Sequence, residues 1–383
     1  MTEQTGTVRR RTAAAVLFCV LLFALPAAGI LQKDKTFSET EKRVLSSFPH
    51  FSLSDVWSGK AEADLESYVQ DQMPWRNLWV GLAAYFDYAA GQNGPCGVYA
   101  AADDYIMRTP TEDNRRNLDA NLRYLNDFAQ KAGKPSYLLV VPQTGYILSD
   151  LLPRGHAEYT DAALLGYIGE KTQNTFTQID CVSPFAAHAQ DTQLYYRTDH
   201  HWTSEGAFLA ANAFLQAAGR PALTRAQFEP EAVPGFHGTT YSKLCMWGKP
   251  ADDLSLWHIR GADAHVRVKD LGKDEITTAQ DVFFRAHLDA YDMYPTYLNG
   301  NHSLTHIVNR TAPEGALLLI KDSFGNTLAT LLSAAYREIW MIDLRYYRTQ
   351  AVSDLLAAHP VDDVLVNYGL DSLIHDTNIL WLK

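Results

Sequence analysis

The sequence predicts an α/β protein: a three-layer α/β/α sandwich on a parallel sheet, preceded by one N-terminal membrane-crossing helix. Three observations carry that expectation. Short continuous apolar runs (PSYLLVVP, GALLLI, EIWMID, DDVLV) alternate with amphipathic helical stretches, as a sheet covered on both faces requires. The uncharged run TAAAVLFCVLLFALPAAGIL (12–31) follows Arg9, Arg10 and Arg11, and about 20 apolar residues suffice to cross a bilayer as a helix. The 383 residues are 47% hydrophobic and 20% charged, a globular composition. A net charge of −11, with no basic block beyond the N-terminus, argues against nucleic acid as a partner.

Taken in order, the arginines hold the N-terminus in the cytoplasm and send the remainder outside. The small residues of LPAAG keep a cleaved signal peptide open as the alternative; both readings export the rest of the chain. The expected division is a cytoplasmic N-terminus (1–11), a transmembrane anchor or signal segment (12–31), a polar linker (32–60) and an extracytoplasmic domain (61–383). Within that domain, the stretch AEADLESYVQDQMPWRNLWVGLAAYFDYAAG reads as two helices interrupted at Met73-Pro74, since proline breaks a helix and constrains the residue before it. GVYAAADDYIM reads as a hairpin with Asp103 and Asp104 at its turn. NRRNLDANLRYLNDFAQKAG is a helix closed by Gly133. Cys19 lies in the apolar run, and Cys96, Cys181 and Cys245 lack metal-ligand spacing, so neither metal nor cofactor is expected.

Ligands on such sheets bind at the carboxyl ends of strands, and two stretches there carry candidate chemistry. In LLLIKDSFGNTLATLL a strand ends near Ile320 and a helix starts near Asn326. Ser323 in that turn has the placement of a nucleophile whose own N–H lies at a helix N-terminus. The alternative is that Asp322 and Ser323 only cap the helix. In TDHHWTSEGA (198–207), residues two apart share a side if the segment is extended. Asp199 and His201 are then expected together, an acid orienting a base, with His200 facing elsewhere. By the same reasoning the two histidines are not expected to share an ion. A hydrogen-bonded structural knot remains the bland alternative. The following helix is capped by Thr203 or Ser204 and stopped by Gly219.

These stretches resemble a known family. TDHHWT matches the signature of the DHHW proteins, which are similar to the SGNH-hydrolase-like domain of the alginate O-acetylation proteins AlgJ and AlgX. The likeness runs through SSFPHFSLSDVWSGKAEADLESYVQDQMPWR, VVPQTGYILSDLLP, YLNGNHSLTHIVN and KDSFGN, nearly the whole exported part. It implies an SGNH-type fold with Ser323 as nucleophile, His201 as base and Asp199 as orienting acid, the Asp/His pair preceding the serine in a permuted order. For the oxyanion and substrate, Asn367 at a strand end and Asn301 of GNHS compete as amide donors, though either also suits a turn. Arg345 resembles an arginine near the site of the alginate group, with a surface salt bridge as its alternative. Trp202 reads as core packing sooner than as a sugar platform.

The expected activity is that of an extracytoplasmic serine O-acetyltransferase or acetylesterase acting on cell-surface polysaccharide. Its acetyl donor is expected to come from a partner such as a membrane O-acyltransferase. A non-catalytic glycan-binding or assembly protein on the same fold is the alternative.

Overall fold

The architecture follows from which residues are apolar on both sides of a strand. The computed structural model describes residues 2–382 except 39, 274 and 349, and the chain divides into two compact units. Unit 1 comprises residues up to Gln92 together with Cys245–Trp247; unit 2 comprises Asn93–Leu244 and Gly248 to the C-terminus. The large unit thus starts at Asn93, where the sequence suggested a domain from residue 61, because the helices between these points cluster with the N-terminal segment.

Unit 1 opens with α1 (Thr2–Leu31), whose window Arg11–Gly29 is long and apolar enough to cross a membrane, with none of its described residues buried in the protein. The expected linker carries structure of its own: the antiparallel pair β1 (Phe37–Ser38) and β2 (Arg43–Val44), and α2 (Leu53–Trp57). Helix α2 starts at a capping box in which Ser52 and Asp55 bond each other's backbone N–H, satisfying two orphan donors. Helices α3 (Lys60–Asp71) and α4 (Arg76–Ala89) are broken around Pro74.

Unit 2 begins with the hairpin β3 (Val98–Ala100) and β4 (Ile106–Arg108), turning through Asp103 and Asp104 at φ 52° and 62°. The layer then builds through α5 (Arg115–Ala132), β5 (Ser136–Val141), α6 (Thr144–Ile147), α7 (Asp161–Thr172), β6 (Thr177–Ile179), α8 (Val182–His188) and α9 (Ser204–Ala217). A long antiparallel ribbon, β7 (Phe228–Phe236) with β8 (Asp252–Ile259), brackets α10 (Thr239–Leu244). The chain continues as β9 (Ala264–Lys269), β10 (Ile276–Ala279), β11 (Leu304–Asn309), β12 (Ala316–Lys321), α11 (Phe324–Leu332), β13 (Glu338–Ile342), α12 (Val352–Ala358), β14 (Asp363–Gly369) and α13 (Leu370–His375).

The central sheet has the order β10-β9-β11-β13-β12-β14-β5-β6. Its β13-β12-β14-β5-β6 half is parallel, as the apolar runs predicted, and β11, β9 and β10 extend it in antiparallel fashion. That extension escaped the sequence reading because β9 and β11 alternate buried and partly exposed residues, unlike strands covered on both faces. Leu139, Leu317, Leu319, Met341 and Leu365 point to one face, against Phe214 of α9 and Leu328 of α11. Their chain neighbours Leu138, Leu318, Ile320, Ile342 and Val364 point to the other, against Leu122 of α5, Ile168 of α7 and Leu355 of α12. The period-two alternation of a strand makes both layers. The fold is therefore an α/β/α sandwich with a mixed, mostly parallel sheet. Strand β12 sits at its middle, and its carboxyl end delivers Lys321, Asp322 and Ser323.

Candidate active site

The turn after β12 is set by Asp322. One carboxylate oxygen accepts the Phe324 N–H at 3.0 Å and the other the Gly369 N–H at 2.9 Å. Asp322 thus joins the start of α11 to the end of β14 and supplies the side-chain cap itself. Ser323, at the N-cap position, makes no capping hydrogen bond, and its hydroxyl is left for other work. Gly369 is required here: a Cβ would come within 2.7 Å of the Phe324 ring.

The Ser323 hydroxyl lies 2.6 Å from His201 Nε2, and His201 Nδ1 lies 2.5 Å from Asp199 Oδ1. Asp199 Oδ1 also accepts the His201 N–H, while Oδ2 accepts the N–H and hydroxyl of Thr239. Burial works against ionisation of Asp199, but His201, His200 and these hydrogen bonds outweigh it and hold the carboxyl well below its usual range. An ionised carboxylate only accepts, so Nδ1 carries the proton and Nε2 faces Ser323 as an acceptor. Asp199 and His201 are buried, whereas Ser323 is partly exposed between buried neighbours. Gly238 makes room for the acid: a Cβ there would lie 2.1 Å from Asp199 Cβ.

The loop that carries the pair is bent, not extended. Tyr195 bridges Trp202, and Asp252 accepts the N–H groups of Arg197 and Thr198 together with the Thr198 hydroxyl. Strand alternation therefore does not apply, and His200 does not face away. Its ring lies 3.9 Å from that of His201, centroid to centroid, and edge-on to Phe324. His200 Nδ1 lies 2.7 Å from Thr239 Oγ1, completing a chain from His200 through Thr239 to Asp199. Burial, then the neighbouring His201 and Arg108, push the His200 imidazole well below its ordinary value, which keeps it neutral. Asp199, His200 and His201 each offer a ligand atom within 4.8 Å of the others. Those of Asp199 and His201 are already engaged in the hydrogen bonds just described.

The other expected residues are placed unequally. Asn301 Oδ1 accepts from Lys321 Nζ at 2.7 Å and from Asn326 Nδ2 at 3.1 Å, which fixes the amide with its NH2 pointing away from both. Asn367 is fully buried within β14 and donates to the Leu139 carbonyl in β5. Arg345 grips Asp343 through Nε and Nη2, and Asp343 also faces Lys321 at 3.3 Å. The arginine thus belongs to a buried charge cluster behind the site, within electrostatic reach of Asp322. Trp202 is fully buried, edge-on to Phe185 and Phe324; it is core. Two residues were missed by sequence reasoning. Tyr294 stacks on His201 at 4.0 Å and donates to the Ser323 carbonyl, and Arg108 lines a small cavity of about 30 Å³ with Gln143, His200 and Asp371 at the ends of β5 and β14. Nothing in their local sequence marks either residue.

The class the structure shows is one of fold, an SGNH-like sandwich, with the Ser323 hydroxyl, the His201 imidazole and the Asp199 carboxylate hydrogen-bonded in line at the end of its central strand. Residues 101–237 match the model of the SGNH hydrolase-like domain, acetyltransferase AlgX; the match includes Asp199 and His201 and stops before Ser323. The chain is similar to the probable alginate O-acetylase AlgJ of Pseudomonas putida, at 24% identity over 204 residues, covering 51% of this chain and 52% of that protein. It is also similar to the protein of that name from Pseudomonas syringae pv. tomato, at 26% over 233 residues, covering 55% and 56%. The chain spans about half the length of these curated relatives. Among solved structures, a DHHW family protein from Eubacterium siraeum superposes with a TM-score of 0.61 at 23% identity, over 75% of this chain and 95% of that one. Bacillus cereus PatB1 with a sulfonyl adduct gives 0.60 at 19%, over 73% and 95%; both likenesses are of fold. The chain thus resembles the DHHW proteins and the SGNH-like domain of the AlgJ and AlgX group.

Proposed function

We propose that this chain is an extracytoplasmic, membrane-anchored serine O-acetyltransferase or acetylesterase acting on cell-surface polysaccharide, with residues 12–31 as its anchor. The observation that carries the reading is the unbroken line from Ser323 Oγ to His201 Nε2 and from Nδ1 to Asp199, at 2.6 and 2.5 Å, with Asp322 relieving the serine of capping. In that scheme Ser323 Oγ attacks the carbonyl carbon of an acetyl donor while its proton passes to His201 Nε2. Asp199 stabilises the resulting imidazolium. The leaving group departs with the proton, and acetyl-Ser323 remains. A sugar hydroxyl, or water, then gives its proton to His201 and attacks the acetyl carbonyl, regenerating Ser323. The Ser323 N–H and the oriented amide of Asn301 are the proposed donors to the oxyanion. The exposed side of Ser323 is the proposed approach for substrate, and a membrane O-acyltransferase the proposed source of acetyl groups.

Hydrolysis of p-nitrophenyl acetate by the full chain in detergent tests the reading. Ser323→Ala is expected to abolish it with an unchanged circular dichroism spectrum and melting temperature. Full residual activity in that variant, or a melt well below wild type, refutes the nucleophile. A wild type that binds an oligosaccharide but turns over no ester supports the non-catalytic reading instead.

A further inference from the structure

Unit 1 exposes apolar side chains that a water-facing surface does not explain. On α2, Leu53 and Trp57 are 84% and 89% exposed, with Val56 on the same side. On α4, Leu78, Leu82 and Phe86 form one exposed stripe, Phe86 at 74%, at the spacing that aligns residues on a helix face. By contrast, among the described residues of unit 2 only Ile276, Tyr346 and Trp381 are large, apolar and exposed. Contiguous exposed apolar surface of this kind marks a binding face.

Helix α4 is tied, through the elbow that precedes it, to the end of the membrane-crossing segment. Gln72, at the elbow between α3 and α4, exchanges hydrogen bonds of 2.9 Å with the backbone of Lys35 and lies 3.4 Å from Gln32 Nε2 through its carbonyl. A Cβ at Gly29 would be 3.7 Å from the Pro74 ring. Gly29 closes the apolar window, so the elbow stands about one helical turn from the point where the chain leaves the bilayer. Trp75 projects there, exposed, at the depth where tryptophan collects in membrane proteins. The neighbouring charge is turned inward: Arg76 pairs with Glu41 at 2.8 Å.

We infer that the outward faces of α2 and α4 rest in the interfacial layer of the bilayer, so that unit 1 is a collar seated on the membrane around its own anchor. This rests on the membrane-anchored reading above and is independent of the triad. The occupant is the lipid surface itself. The stripe carries no Lys or Arg between Leu78 and Phe86, so apolar burial drives the contact and zwitterionic lipid is enough.

The test places the photo-crosslinker p-benzoyl-phenylalanine at Phe18, Trp57, Leu82 or Ile276 of the full chain in phosphatidylcholine vesicles. Mass spectrometry then reads the adducts. Lipid adducts are expected from Phe18, Trp57 and Leu82 and not from Ile276, at equal yield in low and high salt. Lipid adducts from Phe18 but none from Trp57 or Leu82 overturn the collar, as do adducts at those two positions to a second copy of the chain. No lipid adduct from Phe18 overturns the collar by removing the anchor, and leaves the proposed ester chemistry to its own assay.

Discussion

Asp161 provides a quantitative check on how charge is buried beside the site. It opens α7 and is fully buried. One oxygen accepts the Gln143 N–H at 2.8 Å, and the other is buried without a partner. Burial raises its carboxyl from 3.8 to about 6, with the Gln143 N–H opposing. At about 1.4 kcal/mol per pH unit, the ionised form costs the native state about 3 kcal/mol at neutral pH. The folded value lies above the unfolded one, so the stabilising contribution of the protonated acid is complete below pH 3.8 and lost as pH rises through about 6. Asp161→Asn keeps an acceptor for Gln143 and cannot ionise. Its stability relative to wild type is therefore expected to improve by about 2 kcal/mol between pH 4.5 and 7.5, roughly a third of the full effect being already developed at the lower pH. Urea unfolding of both proteins at the two pH values, followed by tryptophan fluorescence, measures this. A difference between variant and wild type that does not change with pH refutes the argument, as does one that changes in the opposite direction.

Other outcomes follow from the same structure. His201→Ala is expected to lower ester turnover about a thousandfold or more, and Asp199→Asn to do likewise by leaving the imidazole in the wrong tautomer. His200→Ala removes only the outer end of the chain through Thr239 and is expected to reduce turnover about tenfold per folded molecule; equal losses from both histidines, with sensitivity to chelator, refute the triad in favour of a metal site. Burial lowers Lys321 to about 8, Asp343 partly opposing. Its folded value lies below the unfolded 10.5, so stability rises between pH 8 and 10.5 as the buried charge is lost. Lys321→Met should flatten that rise in urea midpoints at pH 7.5 and 9.5, and should lower kcat by freeing the Asn301 amide. Trp202→Ala is expected to cost about 3–5 kcal/mol by thermal melting with ester turnover per folded molecule little changed; a large loss of turnover with normal stability would make it a substrate contact.

The sequence by itself determined the parallel half of the sheet and marked Asp199, His201 and Ser323 as the candidate residues. Strands such as Leu317–Ile320 are apolar on every residue, and only a doubly covered sheet buries such a run. Asp199, His201 and Ser323 lie at element ends that local signals mark. The rest depended on partners far away in the chain. His200 joins the site because Asp252 bends its loop, 52 residues on. The Asn301 amide is oriented by Lys321 and Asn326, and the Asn367 amide by Leu139. Amide direction, loop curvature and ring stacking are set by whichever groups the tertiary fold brings within hydrogen-bonding distance, and a local pattern of residues carries no record of them.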